Sequence, residues 1–412
     1  MRISTAQIFD TGVRNMGRAQ AEAARTQAQL GSAKRVLSPA DDPAAATTAL
    51  ALRQDKARSA QYQRNADLAE HELRQQELGL DSVEKLLLDV KDLVMQAGNA
   101  TLSVDERASI VGALRGMGEQ LLALFNTRTA GGDYLFAGAS ADEAPFVVSA
   151  SGQVEYRGDT LARQVDVGAG VAVQSRSSGR ELFVDVPASA PSFLTRAEAG
   201  NSGSASISIG RIIDPAAYAS VFPDDLSVSF PSATPGEFVV NRVDRATGTA
   251  MQIDGPNPYT PGDALTVEVA GVQVTINGTP AVGDSFTLEA RRTQSIALTV
   301  QRLADGLAGV SDTPQGAAER GRVVASALAD LDQGLQSLGR QRVAVGTRLA
   351  QIDTARDEQR ETDLMNDELT SSLVDLDLEE AASRLAFQTL VLQAAQQSFA
   401  KIAGLSLFSF LR

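Results

Sequence analysis

Residues 371–412 read SSLVDLDLEEAASRLAFQTLVLQAAQQSFAKIAGLSLFSFLR, and the rest of the chain is organised around this stretch. Apolar side chains recur along it at steps of three and four residues and their multiples, at Leu378, Ala382, Leu385, Leu392, Phe399 and Ile402. That spacing is typical of the contact seam of a coiled coil. A second apolar line through Leu390, Ala394 and Ala395 gives the helix more apolar surface than one partner helix covers. The stretch predicts a helix buried inside an assembly; a helix in one long intramolecular core is the alternative.

The beginning of the chain carries a matching seam. Its members again step by three and four, at Val13, Met16, Gln20, Ala23, Gln27 and Leu30. Both seams are rich in glutamine and short side chains, so each helix is weak when isolated. The simplest arrangement is that the two chain ends pair with each other and then with further copies of the chain.

Composition excludes several classes of function. The chain has 412 residues, no cysteine and a net charge of −14. Disulfides and thiolate metal sites are therefore excluded, and general nucleic-acid binding is disfavoured. The opening residues lack the apolar core of a secretory signal peptide, and no later run is long enough to span a bilayer.

Charge is distributed unevenly between the two ends. Residues 1–40 hold six basic and two acidic side chains, whereas residues 353–380 hold eleven acidic and two basic ones. Such an acidic collar beside a basic arm would help neighbouring subunits attract each other, and a solvated polar face is the alternative interpretation.

A proline-bounded break follows the first helix. Pro39 and Pro43 stand too close together for a continuous helix, and they flank Asp41 and Asp42. Asp42 is suited to be an N-cap and Pro43 to be the first helical residue. This predicts a joint between inner and outer parts of the molecule rather than a cation site, because adjacent carboxylates do not face each other.

Long amphipathic helices are predicted on both sides of the middle of the chain. One covers residues 44–99, a second starts at the Ser103–Glu106 capping box, and a third starts at Thr313-Pro314. The apolar stripe of the third helix stops after Ile352. Its continuation through Arg356, Gln359, Asp363 and Asn366 predicts an exposed neck.

Between the second and third of these helices, apolar residues recur at every second position, which is the spacing of strands. Residues 153–157 and 161–167 alternate around Gly158-Asp159, which predicts a hairpin, and short strands are expected at 171–174 and 181–186. From Pro187 to Ala290 the chain is rich in turn residues, with β-type runs between them at 206–209, 226–230, 237–240, 265–276 and 285–290. Asn277-Gly278-Thr279 matches a glycosylation sequon, although a tight turn is the simpler interpretation.

The expected fold is mainly α with an inserted β domain: a long antiparallel helical coiled coil or bundle, with a small antiparallel β domain at the tip. Three nested layers follow, with these boundaries: an inner terminal-helix coiled coil of residues 1–43 with 372–412, a helical bundle with a β-hairpin of residues 44–186 with 291–371, and the inserted β domain of residues 187–290.

No catalytic constellation stands out. The single histidine, His71, lies on a mostly polar helical stretch, and neither a nucleophile elbow nor a phosphate-binding loop occurs. We therefore expect a protein that is not an enzyme and needs no cofactor or metal. A hydrolase that relies on carboxylates alone is a remote alternative.

Several segments carry a resemblance to a known family. MRISTAQIFDTGVRNM at 1–16, SAKRVLSPADDPAAA at 32–46 and LQAAQQSFAKIAGLSLFSFL at 392–411 resemble the ends of the flagellin superfamily. Together with DYLFAG at 133–138, the pattern is most similar to proteins of the hook–filament junction. The resemblance covers about half of the chain and says little about the middle.

The resemblance implies a structural role in the bacterial flagellum, as an adaptor that self-assembles through its terminal helices and joins hook to filament. It further implies export through the flagellar type III channel without a cleaved signal peptide. Its implied partners are further copies of the chain, the other junction protein (hook-associated protein 1), flagellin and an export chaperone, with no nucleic acid and no membrane insertion. Flagellin itself is the alternative identity.

The residues expected to make assembly contacts lie on the two terminal seams: Ile3, Ile8, Val13, Met16, Ala23, Leu30, Leu385, Leu392, Phe399, Ile402, Leu405, Phe408 and Leu411. The joint between the inner and outer layers is expected at Pro39, Asp41, Asp42 and Pro43.

Overall fold

The computed structural model describes residues 5–99, 102–129, 131–139, 142–149, 152–233 and 236–410. The helices are α1 (Thr5–Ser32), α2 (Pro43–Ala97), α3 (Val104–Phe125), α4 (Pro215–Val221), α5 (Ile296–Ala308), α6 (Pro314–Val374) and α7 (Leu378–Phe410). The first strands are β1 (Phe146–Val148), β2 (Val154–Tyr156), β3 (Arg163–Gly168) and β4 (Val171–Arg176). The later strands are β5 (Pro187–Ala197), β6 (Ser206–Ile207), β7 (Arg211–Ile212), β8 (Asp225–Ala233), β9 (Gly236–Val243), β10 (Ala250–Pro258), β11 (Leu265–Val269), β12 (Val272–Asn277) and β13 (Ser285–Thr293).

The chain divides into two compact units. One consists of residues 1–64 with 354–412, and the other of residues 65–353. The three-layer division expected from the sequence places its boundaries elsewhere, and we retain it as a proposal.

Helix starts follow the capping signals in the sequence. The Asp42 carboxylate accepts a hydrogen bond from Ala45 N at 3.0 Å, and Pro43 is the first residue of α2. Ser103 and Glu106 form a complete capping box at the start of α3. Each cap satisfies amide groups that have no partner within the helix, which fixes where the helix begins.

The second unit contains an aliphatic helical core. The predicted seam of α2 is fully buried at Leu73, Leu80, Val83, Leu87, Val90, Val94 and Ala97. On α6 the buried members of the predicted seam are Val324, Leu331, Leu338, Val345 and Ile352. Ion pairs border the contact between these helices, since Lys91 Nζ lies 2.6 Å from Asp332 Oδ1 and Arg342 lies 2.5 Å from Glu84.

The predicted exposed neck is wrong in the first unit. Asp363 and its phase neighbours on α6 are half-buried, because the stripe continues as a polar contact with α2. Ser59 Oγ donates to Asp363 Oδ2 at 2.7 Å, and Lys56 Nζ lies 2.6 Å from Asp367 Oδ1. An apolar pattern cannot reveal a helix pair that meets through hydrogen bonds.

The predicted pairing of residues 153–157 with 161–167 is also wrong. Instead β2 pairs antiparallel with β1, and β3 pairs with β4 across a turn at Gly170. The Gly158-Asp159 pair is held elsewhere, since Asp159 N donates to Ala137 O at 2.9 Å. Residues 181–186 do not form a strand either, because residues 180–184 form a short π-helical turn that buries Leu182 and Phe183.

The strands from β5 to β13 form two sheets. The order in the larger sheet is β10-β9-β8-β13-β5, and in the smaller one β11-β12-β6, with β7 also paired to β12. Aromatic side chains fill the core between them, including Phe193, Tyr218, Phe230 and Phe286. The sequence missed β5, β7, β10 and the short helix α4, whereas the other β-type runs coincide with strands.

Candidate assembly surface

The two terminal helices pack against each other in antiparallel orientation. Gly12 of α1 faces Phe399 of α7, and at the other end Lys34 forms an isolated antiparallel bridge with Asp375. The seam residues on α1 step by four and three, at Gly12, Met16, Ala19, Ala23, Thr26 and Leu30, and all are buried or half-buried. Those on α7 do the same, at Ala381, Leu385, Gln388, Leu392, Ala395 and Phe399.

The structure shows where the predicted contact residues lie. Those in the seam are Met16, Ala23, Leu30, Leu385, Leu392 and Phe399. Val13 is 44% exposed, and Leu378 is 53% exposed, so neither belongs to it. Ile3 and Leu411 lie outside the described residues, and so do the side chains of Ile8, Ile402, Leu405 and Phe408, which stand on helices. The other predicted members of the α1 seam, Val13, Gln20 and Gln27, are exposed, and the residue before each of them lies in the seam instead. Gly12 and Ala19 carry no strong apolar signal, which is why the sequence pattern did not select them.

A second face of α7 is apolar and uncovered. Phe387 is 66% exposed, Leu390 is 63% exposed and Val391 is 41% exposed, with Ala394 exposed one turn further on. At 100° per residue this face lies about a third of a turn around the helix from the seam with α1. The predicted second apolar line is thus present at Leu390 and Ala394, whereas Ala395 belongs to the seam. We call Phe387, Leu390, Val391 and Ala394 the outer face of α7.

The proline-bounded break is held by its two aspartates. The Asp41 carboxylate accepts hydrogen bonds from the amides of Leu37 and Ser38 at 3.0 and 2.8 Å and lies 2.7 Å from the Arg25 guanidinium. The amide of Ser38 is the main cause that lowers the pKa of Asp41. The pKa of Asp42 is lowered mainly by the amide of its cap partner Ala45.

Backbone hydrogen bonds tie this break to the start of α7. Arg35 N donates to Val374 O at 2.7 Å, and Leu376 N donates to Ala33 O at 3.1 Å. The Arg35 guanidinium also donates to Leu373 O at 2.6 Å. The break between α1 and α2 and the short break between α6 and α7 therefore form one joint. Pro39 is exposed in it. Sequence reasoning found the first half of the joint and missed its partner, because a backbone pairing of this kind carries no side-chain signature.

The DYLFAG segment, residues 133–138, lies in the second unit. Phe136 is fully buried and meets Phe183 edge-on at 5.0 Å between ring centroids. Gly138 has a φ of 75°, and a β-carbon there would come within 2.4 Å of Asp159 O, so no other residue fits. The segment organises the packing of α3 and the small hairpins.

A buried ion cluster begins in the same segment. Asp133 lies 3.0 Å from Arg176, whose guanidinium also contacts Glu72 of α2 at 2.7 Å. The side chains of Glu72 and Arg176 are almost completely buried. This cluster fastens the β3–β4 hairpin to the long helix.

Neither a metal-binding cluster nor a membrane-spanning helix is found in the part of the chain that the structure describes. No group of three or more metal-ligating side chains is found among those residues. Within the same residues, no helix combines the length and the apolar character that crossing a bilayer requires.

Comparison with known proteins agrees with this architecture. The family described as the bacterial flagellin N-terminal helical region matches residues 3–141. Flagellar hook-associated protein 3 of Escherichia coli (strain K12) is 31% identical over 190 residues, which are 46% of this chain and 59% of that protein. Its namesake from Salmonella typhimurium is 34% identical over 168 residues, which are 40% of this chain and 52% of that protein. The chain thus matches between half and three fifths of the length of these relatives.

A solved structure extends the likeness over most of the fold. The crystal structure of flagellar hook associated protein-3 from Legionella pneumophila has 26% sequence identity and a TM-score of 0.53, and the match covers 78% of this chain and 98% of that one. Over these regions the chain is similar to the bacterial flagellin N-terminal helical region and to hook-associated protein 3.

Proposed function

We propose that this chain is a structural subunit of the bacterial flagellum that joins the hook side to the flagellin filament. The observation that carries the proposal is the division of α7 into two apolar faces. One face is occupied by α1 of the same chain, and among the described residues the outer face is exposed in a single copy. A large exposed apolar side chain such as Phe387 is stabilised when a neighbouring subunit covers it.

The mechanism is assembly that completes folding. A contact between a neighbouring subunit and the outer face buries a modest apolar area. Burial stabilises the contact by about 25 cal/mol for each Å² of apolar surface removed from water. The same contact repeats around a ring or helical array of subunits, so a weak pair becomes a stable junction. The predicted contact residues beyond the described side chains, from Ile3 and Ile8 at one end to Ile402, Leu405, Phe408 and Leu411 at the other, would extend this surface.

The proposed partners follow from the position of such a subunit. They are other copies of the chain, hook-associated protein 1 on the hook side, flagellin on the filament side, and an export chaperone before assembly. The chain would reach this place outside the cell through the flagellar type III system. The nested division into residues 1–43 with 372–412, residues 44–186 with 291–371, and residues 187–290 would set inner, middle and outer layers.

Flagellin, the bulk subunit of the filament, is the second candidate. It is favoured by one observation, the match of residues 3–141 to the flagellin N-terminal region. The two candidates differ in copy number and place, because a junction needs few copies at one position and a filament needs thousands along its length. The relatives are flagellar structural proteins, so a hydrolase finds no support among them.

Localisation in a flagellum tests the proposal. A motile bacterium lacking its own hook-associated protein 3 would receive this chain with an epitope inserted after Gly248, at an open turn of the β insert. The control is the same epitope in the bacterium's own protein. We expect restored swimming and immunogold label at a single position between hook and filament. Label along the whole filament would favour flagellin, and a secreted chain absent from every flagellum would refute both identities.

A further inference from the structure

A cleft of about 740 Å³ lies in the second unit, between the small hairpin and the larger sheet. It is lined by five consecutive residues around β2, 153–157, and by five consecutive residues of β5, 193–197. Successive side chains of a strand point to opposite faces. A cleft that meets every residue of such a run therefore lies along the edge of the strand.

Both edges are terminal positions in their sheets. Within the described residues, β2 pairs with β1 and β5 pairs with β13, each on one side. The Gln153 side chain crosses the cleft and donates to Thr195 Oγ1. Other side chains occupy the neighbouring part of the β5 edge, since Tyr218 OH donates to Ser192 O and Arg302 to Phe193 O. The remaining edge, residues 194–197, is about 13 Å long at 3.3 Å per residue and has no backbone partner other than β13 among the described residues. Within it Thr195 is buried and its hydroxyl donates to Ser208 O at 2.8 Å, whereas Arg196 and Ala197 are exposed.

The charges at the cleft are not balanced. Arg157 and Arg291 each have a glutamate partner, at 3.7 and 2.9 Å. Arg180 and Arg196 also line the cleft, and neither has a carboxylate within 4.0 Å among the described residues. The Nε of Arg180 is buried without a hydrogen-bond partner. The Arg180 guanidinium also lies 5.9 Å from the centre of the Tyr156 ring. Two guanidinium groups without a carboxylate partner thus flank the two strand edges.

We infer that this cleft binds an extended acidic peptide segment by β-strand addition. The backbone of the segment would pair with the open edge of β5, and its carboxylates would bind Arg180 and Arg196. An unpaired strand edge is a template for such pairing, and arginine binds carboxylates with strong, directional hydrogen bonds. An amphipathic helix would leave the edge groups unpaired. A nucleic acid would meet a chain whose net charge is −14.

The test uses the full-length protein and peptide libraries rather than one sequence. The probe is a fluorescent library of seven-residue peptides in which Glu alternates with an equal mixture of Val, Ile, Thr and Tyr. One control library carries Gln in place of Glu, and another carries N-methyl groups that remove the backbone donors. We expect saturable binding of the Glu library, with binding of the Gln library weaker by about tenfold or more and no binding of the N-methylated library.

Hydrogen exchange and matched variants locate the binding. The Glu library should slow amide exchange at residues 194–197. Arg196→Gln and Arg180→Gln should each weaken binding by about tenfold. Arg115→Gln, an exposed arginine on α3, should leave binding unchanged. Absence of saturable binding, equal binding of the control libraries, or protection confined to another part of the chain would overturn the inference.

Discussion

The ring of Phe399 lies against Gly12, so closely that a β-carbon on Gly12 would come within 3.0 Å of Phe399 Cδ2. The helices α1 and α7 therefore meet where one of them has no side chain. Further along the seam, Ala19 and Ala23 of α1 face α7 with side chains of one carbon. This contact is well matched in shape, but it buries little apolar area, so the paired arms should open readily in a single copy.

Replacing Gly12 tests the close approach. In dilute monomer we expect trypsin to trim the wild-type arms to a fragment near residues 45–370, at a rate set by the open population. Gly12→Leu should be trimmed several-fold faster, because the new side chain collides with Phe399. Gly17→Leu gains the same helix propensity of about 1 kcal/mol with nothing within 4 Å of its β-carbon, so it should be trimmed no faster. Equal rates for both variants would contradict the seam.

Acid should loosen the joint. The amides of Ser38 and Ala45 lower the pKa values of Asp41 and Asp42 below the ordinary value of 3.8. A carboxylate with a lowered folded-state pKa stabilises the fold above the ordinary pKa, and the contribution is lost as the pH falls through the lowered value. The double variant Asp41→Asn, Asp42→Asn should thus melt below the wild type near neutral pH.

The difference between their thermal midpoints should shrink as the pH falls below about 3.8. Circular dichroism of both proteins over a pH series provides the measurement. A difference that stays constant into acid would show that the two carboxylates do not hold the joint.

Sequence reasoning succeeded where one apolar side chain follows another at helical spacing. It found the α2 seam at Leu73, Leu80 and Leu87 because each buried position there carries a large aliphatic group. It failed where the contact is polar or has no side chain. Asp363 of α6 is joined to α2 by a hydrogen bond from Ser59. Gly12 allows α1 and α7 to approach closely because it has no side chain.

Removing one partner of the buried ion cluster should destabilise the second unit. Arg176→Met leaves the buried Glu72 carboxylate with Arg163 at 3.2 Å as its remaining ion-pair partner. We expect the free energy of unfolding to fall by about 3–5 kcal/mol, as for other buried pairs broken on one side. Lys85→Met breaks an exposed pair with Asp81 and should change the free energy of unfolding little, because solvent screens such pairs.

The double variant Glu72→Leu, Arg176→Met should recover most of the loss, because no buried charge remains unpaired. Urea unfolding followed by circular dichroism measures all four proteins. A double variant as unstable as Arg176→Met would mean that Arg176 matters through its packing rather than its charge.

The β insert should be removable. Its first and last strands meet where Pro187 pairs with Thr293, so residues 188–292 can be replaced by a short turn without stretching the chain. In the deletion variant Asp330 loses its hydrogen bond with Ser189, and Arg302 loses its hydrogen bond with Ser192. Water would take the place of both serines. We expect secretion and joint assembly to persist, as measured by the protein in the medium and by swimming. Loss of helical content in the deletion would place the insert in the core.

A long-range backbone hydrogen bond explains why the predicted pairing of residues 153–157 with 161–167 is wrong. Gly158-Asp159 has the composition of a tight turn, and alternating residues flank it. The long-range bond from Asp159 N to Ala137 O takes this pair instead, and it depends on the fold of the DYLFAG segment. Local propensity cannot compete with such a tertiary contact.

The last prediction separates the two faces of α7. Phe387→Asp places a charge on the outer face, which is solvated in a single copy because Phe387 is 66% exposed. The thermal midpoint and the secretion of this variant should therefore match the wild type. In the assembled junction the same charge would be buried without a partner, at a cost of several kcal/mol per subunit, repeated in every copy. We expect flagellin to leak into the medium from non-motile cells.

Two matched variants complete the argument. Phe399→Asp lies in the seam with α1, so it should both speed trimming of the arms in the monomer and abolish motility. Gln393→Asp, exposed on the side of α7 away from both apolar faces, should leave trimming and secretion unchanged and impair motility less than Phe387→Asp. If Phe387→Asp cells swim normally while their protein is present at the junction, the outer face does not hold subunits together. The seam residues alone would then have to carry assembly.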